Sequence, residues 1–273
     1  MLDPDQYAAH LVMQGLADNT IRNYRPMFIR WIDYATAEGH DPYRPDPIAV
    51  RSWSQTINGT KSSLAHARAA MHHLCQALQT TDVSVAIPLP SEPKRQPKGL
   101  DHDTAVKLAA TAETMGHKGI AALVGLYSFA RRSEIASLAW RRVDFTAAKL
   151  TLQRPKNRDL HTVDLHPVLA QHLQDRWVAG EMWVFPGRHG GHVAPATVNQ
   201  WIDDVSQAAG IGHVAPHMLR HTSITEAYEA TGDLLATMNA AGHQRPETTW
   251  GYVRLSSQRA SAAVSSLDYR QPA

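Results

Sequence analysis

Four prolines, Pro88, Pro90, Pro93 and Pro97, lie close together and are interleaved with Lys94, Arg95 and Lys98. Proline removes backbone donors and fixes φ, so such a segment is extended and exposed and supports neither a helix nor a central strand. This change in composition is the strongest boundary in the chain and divides it into two folding bodies. The expected layout is a first domain over residues 1–86, a linker over 87–100 and a second domain over 101–273. The basic residues of the linker are either solvated or laid along a phosphate backbone, and both readings stay open.

Upstream, the apolar residues recur at helical spacing. Asn19-Thr20 can cap a helix running to Glu38, in which Ile21, Tyr24, Phe28, Trp31, Ile32 and Ala35 form one face. Gly39 to Pro47 holds prolines at 42, 45 and 47 and cannot stay helical. A shorter helix is expected over 48–57 and a longer one over 62–78, striped by Leu64, Ala67, Ala70, Met71, Leu74 and Leu78. Cys75 lies in that stripe and reads as a core thiol. As the single cysteine it excludes an internal disulfide and fits a reducing compartment.

Downstream, helical patterns cover 101–114, 118–130 and 133–138, after which the period changes. Residues 143–152 and 162–165 alternate as two short strands, joined by a turn carrying Arg154, Pro155, Lys156, Asn157 and Arg158. Helices resume over 167–178, 196–209, 216–230, 233–241 and 255–266. The fold class is therefore mainly α, in two domains: an N-terminal helical bundle and a mostly helical domain with a small β-sheet or hairpin. No run of about 18 apolar residues is present, which argues against a membrane span, and the N-terminus lacks the pattern of a signal peptide. Net charge is only +2. Residues 1–90 carry 7 basic and 8 acidic side chains against 20 and 17 in the remainder, so binding to nucleic acid must rest on local clusters.

The richest cluster lies between Pro216 and Tyr252. A helix beginning at Pro216 places His217, Arg220, His221 and Ile224 on one face. Gly242-His243 follows, and Tyr252 stands nine positions after that histidine. Two histidines four apart can open a zinc site, but Met218 stands where a metalloprotease motif has glutamate, and the guanidinium of Arg220 beside them opposes a divalent metal. An anion is the better guest. Arg131 and Glu134, three apart, supply a second guanidinium with a carboxylate to orient it, and two arginines match the fork of phosphate oxygens. On their own, Arg131 and Arg132 also read as a solvated helix start.

Arg-x-x-Glu, a basic hairpin, His-x-x-Arg-His, Gly-His and then Tyr, in this order, resemble the catalytic domain of the tyrosine recombinases, the phage integrase family. Thr20-Ile21, Tyr24 and Trp31 resemble the opening of that family's helical core-binding domain. The resemblance implies that Arg131 and Arg220 grip a scissile phosphate and that Lys156 gives a proton to the leaving 5′-oxygen. It further implies that His217 acts as general acid/base, that His243 donates to the phosphate and that Tyr252 is the nucleophile. Glu134 and His221 would support them, and Arg154, Arg158, Lys94, Arg95 and Lys98 would contact DNA. A 3′-phosphotyrosine conserves the energy of the broken bond, so no ATP, metal or other cofactor is implied, and no GxxxxGK[ST] loop is present.

The implied activity is site-specific recombination of duplex DNA by a homo-tetramer through a Holliday junction, with accessory directionality or host factors as further partners, in the cytoplasm at the nucleoid. The core-binding pattern begins near Met1, so the extra arm-binding domain of some integrases is expected to be absent. A Xer-like resolvase, a simple phage or prophage integrase and a transposon recombinase all fit. Rival readings are a type IB topoisomerase-like nicking and resealing enzyme, a non-cleaving DNA-binding relative and a metal-dependent hydrolase. Two positions depart from the family pattern: Phe129-Ala130 stands where Gly-Leu usually precedes the first arginine, and Ala241 where leucine precedes Gly-His. Trp250 reads as a packing anchor, and residues 255–273 are long enough for a helix that could dock on a neighbouring protomer.

Overall fold

The computed structural model describes residues 2–58, 60–91, 99–154, 159–188 and 190–242. The chain divides into two compact units, Met1–Arg95 and Gln96–Ala273.

The first unit is built from α1 (Pro4–Met13), α2 (Asp18–Ala37), α3 (Pro47–Thr56) and α4 (Lys61–Leu78). Asp3 opens α1 with a reciprocal cap: its carboxylate accepts from the Gln6 backbone N–H at 2.8 Å while the Gln6 side chain accepts from the Asp3 N–H at 3.1 Å. Asp46 caps α3 by accepting from Ile48 and Ala49. The cap expected from Asn19-Thr20 does not form. The cap residue is instead Ala17, which makes no side-chain cap bond, two positions before Asn19, and the helix opens with Asp18 in its first turn, where a carboxylate favours the helix dipole. The core is aromatic: Tyr7 stacks on Phe28 at 4.5 Å between ring centroids, and Trp31 meets Trp53 edge-on at 5.5 Å. Trp31 also donates from its indole to the Pro42 carbonyl at 2.9 Å, which ties the proline-rich connection to this core. Cys75 is buried in it, and burial pushes its thiol pKa up, as befits a packing residue.

The second unit opens with α5 (His102–Glu113), α6 (Gly116–Tyr127) and the short α7 (Arg132–Ala136). A three-stranded antiparallel sheet follows, β1 (Val143–Asp144), β2 (Lys149–Gln153) and β3 (Leu160–Asp164), in the order β1-β2-β3. Then come α8 (Pro167–Arg176), α9 (Pro195–Ala208), α10 (Pro216–Thr231) and α11 (Leu234–Ala241). The single strand expected over 143–152 is two. Asp144 accepts from the Ala147 N–H at 2.8 Å and Ala148 adopts φ +49°, so the chain reverses between β1 and β2 without the glycine or asparagine that would have announced a turn. The register pairs Leu150 with Val163 and Leu152 with His161, and it sets Leu150, Leu152 and Val163 into the core. The expected helix over 255–266 lies outside the described residues.

Helix α6 is the axis of this unit, buried from Gly119 through Gly125. At Gly125 a Cβ would stand 3.0 Å from Leu219 Cδ1, so the missing side chain lets α10 close on α6. Ser223 strengthens that contact by donating to the Leu126 carbonyl at 2.7 Å, and Thr222 accepts from the Leu100 N–H at 2.8 Å. Two polar bonds and one close contact thus fix the height of α10 before any ligand arrives. No helix among the described residues is long and apolar enough to cross a membrane.

Candidate active site

Helix α10 begins with Pro216 at its first position, and His217, Arg220 and His221 follow within its first two turns. Arg220 is only 8% exposed. Its guanidinium donates from Nη1 to the Phe129 carbonyl and from Nη2 to the Ala241 carbonyl, the latter at 2.7 Å. One buried cation therefore joins three segments: α10, the chain entering α7 and the end of α11. Such charge-assisted bonds fix the plane of the guanidinium and make its removal costly.

Phe129 reaches Arg220 through an unusual backbone. It adopts φ +57°, the left-handed region where a Cβ is disfavoured. This is the position where the expected pattern has glycine and this chain has phenylalanine. The ring packs against Ile224 and Ala241, and that burial offsets part of the strain. Two residues on, Arg131 stands at the start of α7. Glu134, buried to 3% exposure, accepts from the Arg131 backbone N–H at 2.7 Å and from its Nη1 at 3.0 Å. Arg131 itself is 40% exposed, so its guanidinium is oriented by a buried carboxylate and still open to solvent.

His217 is exposed, and its ring meets that of His221 edge-on at 5.9 Å between centroids. Burial, followed by the fields of His217 and Arg220, lowers the pKa of His221 to about 4. His221 is consequently neutral at physiological pH. The sequence places a full set of cations on this face, but the structure gives Arg220 a permanent charge and His221 none.

The end of α11 is held from three sides. Gly242 takes φ +60°, a left-handed helix cap, and its N–H returns to the Asn239 carbonyl at 3.0 Å. The next three carbonyls have no helical partner among the described residues. His161 Nε2 pairs with that of Ala240 at 2.9 Å, Arg220 takes that of Ala241 and Arg154 Nη2 takes that of Gly242. A Cβ on Gly242 would stand 2.9 Å from His161 Cδ2 and would also collide with Arg154, so the glycine ahead of His243 is required twice over. Arg154, expected to contact DNA from a hairpin tip, instead stands half-buried at the end of β2 with its guanidinium on α11. Neither it nor His161 could be assigned this role from sequence, because their partners lie 88 and 79 residues away. Lys156, His243, Tyr252, Lys94, Arg95, Lys98, Arg158 and Trp250 lie outside the described residues.

Residues 98–259 match the phage integrase family and residues 5–81 match that family's N-terminal SAM-like domain. The chain belongs to the phage integrase family and is a tyrosine recombinase. Among its relatives, tyrosine recombinase XerC of Xanthomonas campestris pv. campestris (strain B100) is 29% identical over 271 residues, covering 93% of this chain and 84% of that one. XerC of Xylella fastidiosa (strain 9a5c) is 32% identical over 178 residues, or 62% of this chain and 60% of its own. The fold is shared with XerH site-specific recombinase in a pre-cleavage complex with its difH substrate, at TM-score 0.73 and 15% identity over 97% of this chain and 85% of that one. It is shared also with a lambda integrase (75–356) dimer bound to a COC′ core site, at TM-score 0.68 and 16% identity over 91% and 93%.

Proposed function

We propose that this protein is a Xer-like or integrase-type site-specific recombinase that cleaves and rejoins duplex DNA through a 3′-phosphotyrosine intermediate, with Tyr252 as nucleophile. The observation that carries the reading is the seating of Arg220. Its two carbonyl bonds draw the segment leading to Arg131 and the segment leading to His243 onto one centre. The relatives named above are recombinases, two of them bound to DNA, and duplex DNA is the matching partner here.

In the reaction, Tyr252 Oη attacks the phosphorus, the P–O5′ bond breaks, and the 5′-oxygen leaves with a proton from Lys156. Negative charge builds on the non-bridging oxygens, where Arg131, Arg220 and His243 donate to it. Groups locked in place before the substrate arrives stabilise that charge without reorganising. A phenol with a pKa of about 10 is a poor nucleophile at neutral pH without a base or a strong positive field, which His217 and the arginines supply. His221, neutral at physiological pH, packs beside His217 and adds no charge. Rejoining is the same path in reverse with a 5′-hydroxyl from the partner duplex. Four protomers, each cleaving one strand, would pass through a Holliday junction, and the DNA class would place the protein at the nucleoid.

Binding sites are first selected from a random duplex pool, then converted to nicked suicide substrates. The wild type should form a detergent-stable protein–DNA adduct, and Tyr252→Phe should bind the same duplex and form none. An adduct in that variant would remove Tyr252 from the role. Relaxation of supercoiled DNA with no site requirement would replace recombination by a type IB topoisomerase activity.

A further inference from the structure

We propose that Thr222 is a positioning residue for cleavage: through it Gly99-Leu100 forms a strap behind α10 that sets where the Arg220 guanidinium stands. The inference rests on the proposed role of Arg220 as a phosphate grip and adds residues that act only through that arginine.

Arg220 and Thr222 both lie on α10. At 3.6 residues per turn, side chains two positions apart leave a helix about 160° from each other, on opposite sides. The front is fastened by the Phe129 and Ala241 carbonyls that Arg220 holds. The back is fastened by Thr222, which is only 2% exposed. Its hydroxyl donates to the Met218 carbonyl at 2.9 Å, which fixes the rotamer so that the oxygen accepts from the Leu100 N–H at 2.8 Å. A Cβ on Gly99 would stand 3.0 Å from the Thr222 nitrogen and 3.3 Å from the His221 carbonyl carbon, so the strap lies directly on the α10 backbone. One turn further, His102 Nδ1 is 3.1 Å from Glu226 Oε2. This exposed pair adds little stability, but it shows the chain following α10 from His221 to Glu226.

The strap is itself held in place. Leu100 packs against the core of the unit, and Asp101 caps α5 by accepting from the Thr104 N–H at 2.9 Å. Helix α10 is thus clamped between a fixed strap on one side and the two carbonyls at Arg220 on the other. Removing the Thr222 hydroxyl leaves the Leu100 N–H without its acceptor, and the strap and helix then separate to let water reach it. Because the helix is stiff, a shift at Thr222 is passed to the guanidinium two residues away. A displacement of about 1 Å at a group that binds the reacting centre is enough to cost roughly 100-fold in rate.

On a nicked suicide duplex with the ordinary scissile phosphate, Thr222→Val should form the adduct roughly 10- to 100-fold more slowly than wild type at saturating DNA. DNA affinity should stay within about threefold, because no phosphate or base contact is removed. Thr222→Ser keeps the hydroxyl and should recover most of the rate. Gly99→Ala presses on the strap without altering α10 and should slow the reaction about fivefold. A scissile methylphosphonate has a methyl group in place of one non-bridging oxygen and carries no charge, so its transition state demands less of a guanidinium. On it, Thr222→Val and Gly99→Ala should cleave within about twofold of wild type. Arg220→Ala serves as the reference. If it is slow on the phosphate and relieved by the methylphosphonate while Thr222→Val is slowed equally on both, the strap supports the fold alone and the inference is overturned. A Thr222→Val rate equal to wild type on the phosphate overturns it as well. If Arg220→Ala is itself not relieved, Arg220 is not the phosphate grip, and its proposed role falls together with the inference. Thermal melts report folding, and if Thr222→Val melts below the assay temperature, Gly99→Ala decides on the same two substrates, with equal slowing on both again overturning the inference.

Discussion

The two units bury different things. The first closes over aromatic bulk, Tyr7, Phe28, Trp31 and Trp53, and among its described residues the buried polar side chains are two serines, Ser54 and Ser84. The second buries Glu134, Arg220, Thr222, Ser223 and Thr237 together with its aliphatic core. Apolar burial is non-directional and only needs volume to be filled, whereas a buried carboxylate or guanidinium demands named partners at fixed angles. The first interior is therefore tolerant of the direction in which its side chains approach, and the second is committed to one geometry. That is the property a phosphate grip requires.

The sharpest break of this contrast is Arg220→Leu. It should abolish detectable adduct formation and also destabilise the second unit by about 1–3 kcal/mol for each carbonyl left without its donor. Cleavage assays and urea midpoints check the two effects separately. If stability were untouched, the carbonyl bonds would not be holding the segments together. Trp53→Ala is the matching change in the first unit. It should cost about 3–5 kcal/mol there, seen as loss of amide protection in α2, α3 and α4, while protection in α6 and α10 stays as in wild type.

A smaller effect is expected at Phe129, where the backbone and not the partner is committed. Phe129→Val should be less stable than Phe129→Gly by about 1–2 kcal/mol, although valine is the larger apolar side chain, because a β-branched residue resists φ +57° more than glycine does. The reverse order in denaturant melts would show that packing outweighs backbone strain at this site. The smallest effect concerns pH. The folded-state pKa of His221, about 4, lies below its unfolded value of about 6.5, so between these values the unfolded chain binds more protons. The stabilising contribution is fully present above the unfolded value and is lost as pH falls toward 4. His221→Gln should lose less stability than wild type over that interval, read from denaturant midpoints at a series of pH values. His73 and His117, lowered mainly by burial, keep part of the slope in both proteins.

Periodicity made most helices legible because it reports burial, and burial is what holds a helix in place. It failed where the decisive partner was not periodic. The strand over 143–152 was interrupted by a turn that Asp144 organises through one side-chain bond, in a stretch, Phe145 to Ala148, with no turn residue in it. Arg131 and Glu134 could be paired from their spacing, and the structure supplies both bonds between them. The face of α10 was equally legible, since three- and four-residue spacing fixes it. Its electrostatics were not: that one histidine of the pair is neutral follows from half-burial beside a guanidinium, which no spacing encodes. His161 read as an ordinary strand residue, because nothing in a sequence connects it to a carbonyl on α11.

One modest bond has a consequence for how a large ligand is held. Leu100 is fastened to α10 through Thr222, so the second unit has a rigid attachment point at the start of its own chain. In the sequence, eight peptide bonds join Ser91 to Gly99. For any ligand long enough to touch both units, contact with one raises the effective concentration of the other to roughly millimolar. Two surfaces too weak to retain that ligand separately can then retain it jointly, and lengthening the segment before Gly99 would dilute that advantage without altering a single contact.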